Sequence, residues 1–219
     1  MERLVVLKLS GHLIKFSNTV RDILNKIKSL TSVVKFVIIP GGSVFADFVK
    51  ELQEELGFSD DTAHWLAIKS MEMYGAYLAS LDISSVAEVY DFTELHNALR
   101  SKKIPILMPY RIIKTLDELP HKWDVTSDSI SVYIGGLLNA YLVILAKLVD
   151  GILDENGHLI KLIPSNELHK IHTTVIDNYV ARLLERFKIY VAVFNAFKAY
   201  LLEDIINLRK GDYTLIIPE

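Results

Sequence analysis

Two glycine-bearing turns, each following a short apolar run, are the first residues in this chain that could do chemistry. Lys8 and Gly11 stand in Leu7-Lys8-Leu9-Ser10-Gly11, and Gly41 and Gly42 in Pro40-Gly41-Gly42-Ser43. A glycine lets an anion approach the backbone, and a helix start offers free N–H groups and positive potential. A lysine adds a mobile point charge for a phosphate oxygen. Each element alone has an ordinary explanation, since Gly-Gly after a strand makes a tight turn and a lysine near a strand end reaches water. At adjacent strand ends they point together to anion binding.

Further along, Asp128 in Trp123-Asp124-Val125-Thr126-Ser127-Asp128-Ser129 has two readings. Ser127, Asp128 or Ser129 could cap the helix that follows. Alternatively, Asp128 faces the site and holds cationic lysines in place. Asp150-Gly151 carries the same ambiguity, because Asp-Gly is an ordinary turn. Lys147 is a charge within a buried-strand pattern, so it should emerge at the sheet's edge near a ligand or water. His169 and His172 lie three apart without a third ligand at suitable spacing, so no metal-ligating residues are assigned. Neither GxxxxGK[ST] nor GxGxxG occurs, and any nucleotide site must use another arrangement.

Something must position these residues. Leu4 to Leu9 reads as a buried strand, and Val20, Ile23, Leu24, Ile27 and Leu30 recur at helical spacing. Phe36 to Ile39 is a second strand, followed by a helical pattern from Val44 to Leu56. This β-α-β-α alternation predicts a parallel sheet with helices on its faces. Asp60-Asp61-Thr62 can cap a helix from about Ala63 to Ser80 that is apolar nearly all round, so it is central to the core or covered by a partner subunit. Strands are predicted at Val86 to Tyr90, Ile104 to Met108, Leu142 to Leu148, Tyr190 to Phe194 and Thr214 to Ile217. Helices are predicted near Phe92 to Ser101, Asp128 to Tyr141, Ser165 to Ile171, Asp177 to Phe187 and Ala196 to Leu208. Gly135-Gly136 permits close packing, and Glu155-Asn156-Gly157 signals a hairpin with positive φ at Asn-Gly.

Composition narrows the function classes. The chain has 219 residues, 51% hydrophobic, with a net charge of −3 and no cysteine. Disulfides and thiolate metal sites are excluded. No block of like charge supports a nucleic-acid partner. No apolar stretch reaches the roughly 20 residues of a membrane span. Met1 to Ser10 enters a strand pattern with no cleavage signal. A cytoplasmic protein is expected.

The order of elements and the motifs resemble the amino-acid-kinase superfamily over nearly the whole chain. Leu7-Lys8-Leu9-Ser10-Gly11 looks like that family's opening phosphate loop, and Pro40-Gly41-Gly42-Ser43 like its second glycine loop. Thr126-Ser127-Asp128 looks like its organising aspartate, and Leu148-Val149-Asp150-Gly151-Ile152 like its "VDG" turn. The resemblance implies a three-layer α/β/α fold around an open, mostly parallel sheet, with ATP and Mg²⁺ as the phosphoryl source. It implies that Lys8 contacts the transferred phosphoryl, Gly11 lines its path, and Gly41 and Gly42 approach acceptor and phosphates. Asp128 would orient Lys8 and Lys147, and Asp150 and Gly151 would border the nucleotide. A narrower resemblance joins Ala63-His64-Trp65-Leu66-Ala67-Ile68 to Trp123–Ile130. Both look like the archaeal subgroup that phosphorylates an aminomethyl-furanmethanol phosphate, with His64 and Ser127 expected to touch the acceptor.

Departures are present as well. Relatives often carry a second lysine in a Gly-rich loop after the VDG turn, where this chain reads Asp154 to Lys161. Lys147 or Lys161 could substitute, and Lys147 is preferred. Asn195-Ala196 and Gly211-Asp212-Tyr213-Thr214 replace Asn-Gly and Gly-Thr. One domain over 1–219 is expected, with an acceptor-side half over about 1–140 and a nucleotide-side half over about 141–219. The partners expected are a small-molecule acceptor and a second copy meeting through the helix near 63–80. The rival readings are a uridylate or other nucleoside-monophosphate kinase, a non-catalytic nucleotide- or oxyanion-binding relative, and a regulatory or structural subunit of a larger oligomer.

Overall fold

The computed structural model describes residues 3–219. Met1 and Glu2, which belong to the expectations for the chain's start and for a domain over 1–219, lie outside the described residues. Eight strands form one sheet: β1 (Leu4–Leu9), β2 (Lys35–Pro40), β3 (Val86–Val89), β4 (Ile104–Leu107), β5 (Leu142–Lys147), β6 (Leu162–Pro164), β7 (Tyr190–Asn195) and β8 (Thr214–Ile217). Their order is β3-β4-β2-β1-β5-β7-β8-β6. Every pair is parallel except β7 with β8. The helices are α1 (Ser17–Leu30), α2 (Ser43–Leu56), α3 (Asp60–Ser80), α4 (Phe92–Arg100), α5 (Tyr110–Leu116), α6 (Ser127–Leu137), α7 (Tyr179–Phe187) and α8 (Leu202–Ile206).

Helices cover both faces, which is why β1, β2 and β5 are apolar at successive positions rather than alternating. One core packs Val6, Val143 and Leu145 under Ile130 and Ile134 of α6, Ile68 of α3 and Leu184 of α7. The other packs Val5, Leu7 and Ile144 against Val20, Ile23 and Ile27 of α1 and Leu202 of α8. The chain leaves β1 towards β2 on one side and later returns with β5 on the other. That reversal opens a crevice at the carboxyl ends of β1 and β5, where open α/β sheets place ligands.

Several local expectations are corrected. The cap of α3 is Ser59, whose hydroxyl accepts from the Thr62 amide, so the helix starts at Asp60 rather than Ala63. Its two acids then lie in the first turn, favourably against the helix dipole. Residues 165–170 form a 3-10 segment rather than an α-helix, and the helix predicted from Asp177 starts at Tyr179. The predicted helix over 196–208 is broken at Lys198, with a 3-10 segment Ala196–Leu201 before α8. Leu153 and Leu159 make an antiparallel bridge around the Asn-Gly turn, but only Gly157 takes positive φ, at 83°. Its amide donates to the Asp154 carbonyl, giving a three-residue loop closed by a left-handed glycine instead of a two-residue turn. Among the described residues, no helix is long and apolar enough to cross a membrane.

Candidate functional site

Strand alternation decides where the lysines point. Side chains two apart share a face, so Lys8 follows Val6 and Lys147 follows Val143 and Leu145 onto the face covered by α6. β1 and β5 are neighbours, with Lys8 opposite Leu145 and Leu9 opposite Ala146. The two ammonium groups therefore emerge side by side at the crevice. α6 lies close against the sheet because Gly135 carries no side chain, and close against α7 because Gly136 carries none. A Cβ on Gly135 would fall 2.5 Å from Val143, and one on Gly136 would strike the Phe187 ring.

The first turn of α6 brings Asp128 between them. Lys8 Nζ lies 3.0 Å from Asp128 Oδ1 and Lys147 Nζ lies 2.5 Å from Oδ2. Lys8 and Asp128 are only 4% and 3% exposed. The capping reading of Asp128 does not hold, because the cap is Thr126, whose hydroxyl accepts from the Asp128 amide at 3.2 Å. Burial alone would raise the Asp128 carboxyl, but the Lys8 and Lys147 charges outweigh it and hold it below the usual carboxylate value. Burial, followed by the neighbouring Lys8 charge, pulls Lys147 below the ordinary lysine value. Two ammonium groups on one carboxylate leave an excess positive charge at the crevice, which suits a polyanion.

A residue that sequence reading missed locks this turn. The Asp177 carboxylate accepts from the amides of Thr126 (3.0 Å) and Ser129 (3.1 Å), from both their hydroxyls, and from the amides of Tyr179 and Val180. It thereby ties the starts of α6 and α7 together. Asp177 was legible only as a helix-start signal, since its partners lie far away in sequence.

The two glycine turns meet, and this changes their reading. A Cβ on Gly11 would overlap the backbone of Ser43, and one on Gly41 would fall 2.5 Å from Gly11 N. These glycines are required by protein packing. The Gly41 amide donates to the Leu9 carbonyl at 2.9 Å, so it is not free for a phosphate. Gly42 remains at the start of α2, where no side chain caps the helix.

A cleft of about 350 Å³ adjoins this end of the sheet and is lined by Gly42, Ser43, His64, Met71, Trp123 and Ser127 among others. It thus gathers the two predicted acceptor residues, His64 and Ser127, with Gly42. His64 is buried and stacks on His121 with ring centroids 4.4 Å apart. Burial first, then the His121 charge, lowers His64 to about 4, so it is neutral. His121 is the opposite case. Burial disfavours its charge, but hydrogen bonds to Asp61 and Asp117 outweigh this and raise it above the ordinary histidine value. Trp123 is fixed by its indole N–H donating to Gln53 at 2.6 Å.

Asp150 and Gly151 lie at the end of β5 on the side towards β7. Asp150 pairs with Lys198 at 2.7 Å and accepts from Asn195 at 3.1 Å; these bonds, Lys198 first, lower its carboxyl. Gly151 packs tightly on Thr214, whose hydroxyl accepts from the Ile152 amide. Lys161 pairs with exposed Asp212 and does not join the Asp128 cluster. Among the described residues, no group of three or more His, Asp or Glu could hold a metal ion.

Comparisons with known proteins bear on the family and the fold. The model of the amino acid kinase family matches residues 3–195. The chain is 36% identical over 186 residues, 84% of each chain, to a protein of Methanocaldococcus jannaschii named [5-(aminomethyl)furan-3-yl]methyl phosphate kinase. It is 25% identical over 192 residues to that organism's uridylate kinase, covering 80% of this chain and 78% of the other. The crystal structure of UMP kinase from Bacillus anthracis superposes with a TM-score of 0.79, covering 99% of this chain and 96% of that one at 19% identity.

Proposed function

The chain belongs to the amino acid kinase family, and from that premise we propose that it transfers the γ-phosphoryl group of ATP to the phosphate of a small aminomethyl-furan phosphate. The observation that carries this reading is the buried Asp128 carboxylate holding Lys8 and Lys147 at the β1–β5 crevice. Phosphoryl transfer needs positioning and charge stabilisation more than covalent help. The acceptor oxygen is already ionised, so no strong base is required. A bond forms from that oxygen to the γ-phosphorus while the bond to the β,γ-bridging oxygen breaks, and ADP leaves. Lys8 and Lys147 stabilise charge on the transferring group, and Asp128 keeps both ammonium groups aimed. Mg²⁺ would arrive on the nucleotide, since Mg²⁺ is commonly carried by substrate phosphates and few protein ligands.

In this reading the cleft seats the acceptor, with His64 and Ser127 against it. Its lining runs from His12 to Ile130, which supports an acceptor-side half over about 1–140. Asp150, Gly151, Asn195 and Lys198 border the nucleotide in the half over about 141–219. Two copies pair through α3, whose Met73 and Leu66 are 55% and 40% exposed. The enzyme works in the cytoplasm.

The test is incubation with Mg-ATP and [5-(aminomethyl)furan-3-yl]methyl phosphate, UMP or AMP separately, with products identified by mass and Lys8→Ala as control. A furan diphosphate made only by the wild type supports the reading. ADP formed only with a nucleotide acceptor replaces the substrate, and ATP binding without transfer replaces the reaction with nucleotide binding.

A further inference from the structure

A second cavity, of about 510 Å³, lies at the other end of the sheet, where β2 and β4 begin. The length of β2, roughly 17 Å at about 3.3 Å per residue, separates it from the crevice. Its floor is apolar, made by buried Val34, Phe36 and Ile104. Its rim carries Lys35, Arg100, Lys102 and Lys103, and none of the described residues that line it is acidic. In a chain whose net charge is −3, this is a local reversal of sign.

Helix ends give the ordinary explanation for basic residues here, and it is too small. α1 and α4 both finish at this end of the sheet. Each C-terminus carries about half a negative charge, roughly −1 for the pair. Arg100, Lys102 and Lys103 alone bring three positive charges, and the Lys103 ammonium bonds to the uncharged Ser84 carbonyl. About two positive charges therefore remain in surplus, without Lys35 being counted.

The backbone supplies an independent observation. α4 ends in a Schellman motif, in which the Lys103 amide donates to the Ala98 carbonyl at 2.9 Å and the Lys102 amide to the Leu99 carbonyl at 3.1 Å. The left-handed residue of that motif is usually glycine. Here it is Lys102, at φ 57°, a conformation that disfavours any residue with a Cβ. The lysine puts an ammonium on the cavity rim that glycine would not supply.

A phosphate monoester puts nearly two charges and three acceptor oxygens on one centre. A carboxylate offers one charge and two oxygens. The cavity volume is within the range of small-molecule sites. We propose that this cavity binds a small phosphate monoester, with its phosphate on Arg100, Lys102 and Lys103 and its organic body over the apolar floor. The site is remote from the Asp128 cluster and does not depend on the proposed reaction.

The experiment is heteronuclear NMR titration of the full chain with phenyl phosphate at fixed ionic strength, using the wild type and the double variant Arg100→Gln, Lys102→Gly. The amides of Ser32, Lys102 and Lys103 report on this cavity, and those of Ser43 and Ser127 on the cleft. We expect saturable shifts at the first set in the wild type. In the variant, affinity read at Ser32 and Lys103 should fall by about tenfold or more, from the loss of hydrogen bonds to a charged group. The second set answers to the proposed acceptor seat, so silence there removes that seat and leaves this inference standing. Lys102→Gly alone should melt no lower than the wild type, because it relieves the positive φ, and this separates lost binding from lost folding. Three results overturn the proposal: no saturable shift at the first set, benzoate bound there as tightly as phenyl phosphate, or a double variant that binds phenyl phosphate as tightly as the wild type.

Discussion

The crevice and the cleft beside it each hold two cationic-type side chains together, by opposite means. At the crevice, one carboxylate serves two lysines, and all three groups are buried or nearly so. At the cleft, one histidine keeps two carboxylates for itself and its stacked neighbour has none. Asp61 and Asp117 raise His121 above the ordinary histidine value, and His64 is left neutral. The first arrangement creates surplus positive charge where a polyanion would sit. The second places an uncharged histidine, His64, on the cleft wall. The difference shows that residue type does not decide the charge of a site; the distribution of acidic partners and the depth of burial do.

The most severe way to break this contrast is to remove the shared carboxylate. Asp128→Asn leaves two ammonium groups facing each other in a buried site. Urea denaturation should report a loss of about 3–5 kcal/mol, with transfer activity abolished. The pH dependence has a definite sign. The folded carboxyl lies below its ordinary value, so its stabilisation is complete above that value and disappears as pH falls through the folded one. The variant should lack that part of the acid sensitivity.

Lys8→Ala comes next. It keeps the Asp128–Lys147 pair but removes the charge contact proposed for transfer, and kcat should fall about 10²- to 10³-fold. An unchanged kcat would mean that the paired lysines serve only the fold.

The histidine side is sharpened by titration. His64 sits near 4 when folded against 6.5 in model compounds. The unfolded chain therefore binds a proton that the folded chain refuses between those values. Stability should fall across that window on acidification, by no more than about 3 kcal/mol, and His64→Gln should remove the loss. His121 acts in the opposite direction: its contribution is full below the ordinary value and is lost as pH rises through its raised one. In His121→Ala, NMR should find His64 moved up only part of the way towards 6.5, because burial is the larger cause.

The smallest effect belongs to Lys161→Ala. Its pair with exposed Asp212 is screened by solvent and contributes little to stability, and kcat should not change. A large fall in kcat would transfer the second-lysine role from Lys147 to Lys161.

Much of the architecture was legible from the sequence because buried parallel strands leave a plain signal. Lys8 and Lys147 stood out as charges in apolar strand patterns, while the face they share became visible only with the sheet register. The meeting with Asp128 was harder, since a Ser-Asp-Ser stretch before a helix reads equally well as a cap. Three features could not be read. Asp177 binds backbone groups of a distant segment. Positive φ at Ser43 is not encoded by a serine. Gly11 and Gly41 look the same whether they admit a phosphate or a neighbouring loop. The 3-10 segments at 165–170 and 196–201 were read as α-helices because short apolar spacing does not separate the two.

The position of β1 in the middle of the sheet sets an order of assembly. β2 follows it closely along the chain, so the interlocked turns carrying Gly11 and Ser43 can be completed by the first βαβ unit to leave the ribosome. β5 and α6 come much later, and long-range pairings carry the larger loop-closure cost. Lys8 must therefore wait without Asp128 through most of synthesis. Translation paused before Ser127 should yield a chain with its two turns interlocked and its lysine still hydrated, a state that pulsed lysine labelling on stalled ribosomes would reveal.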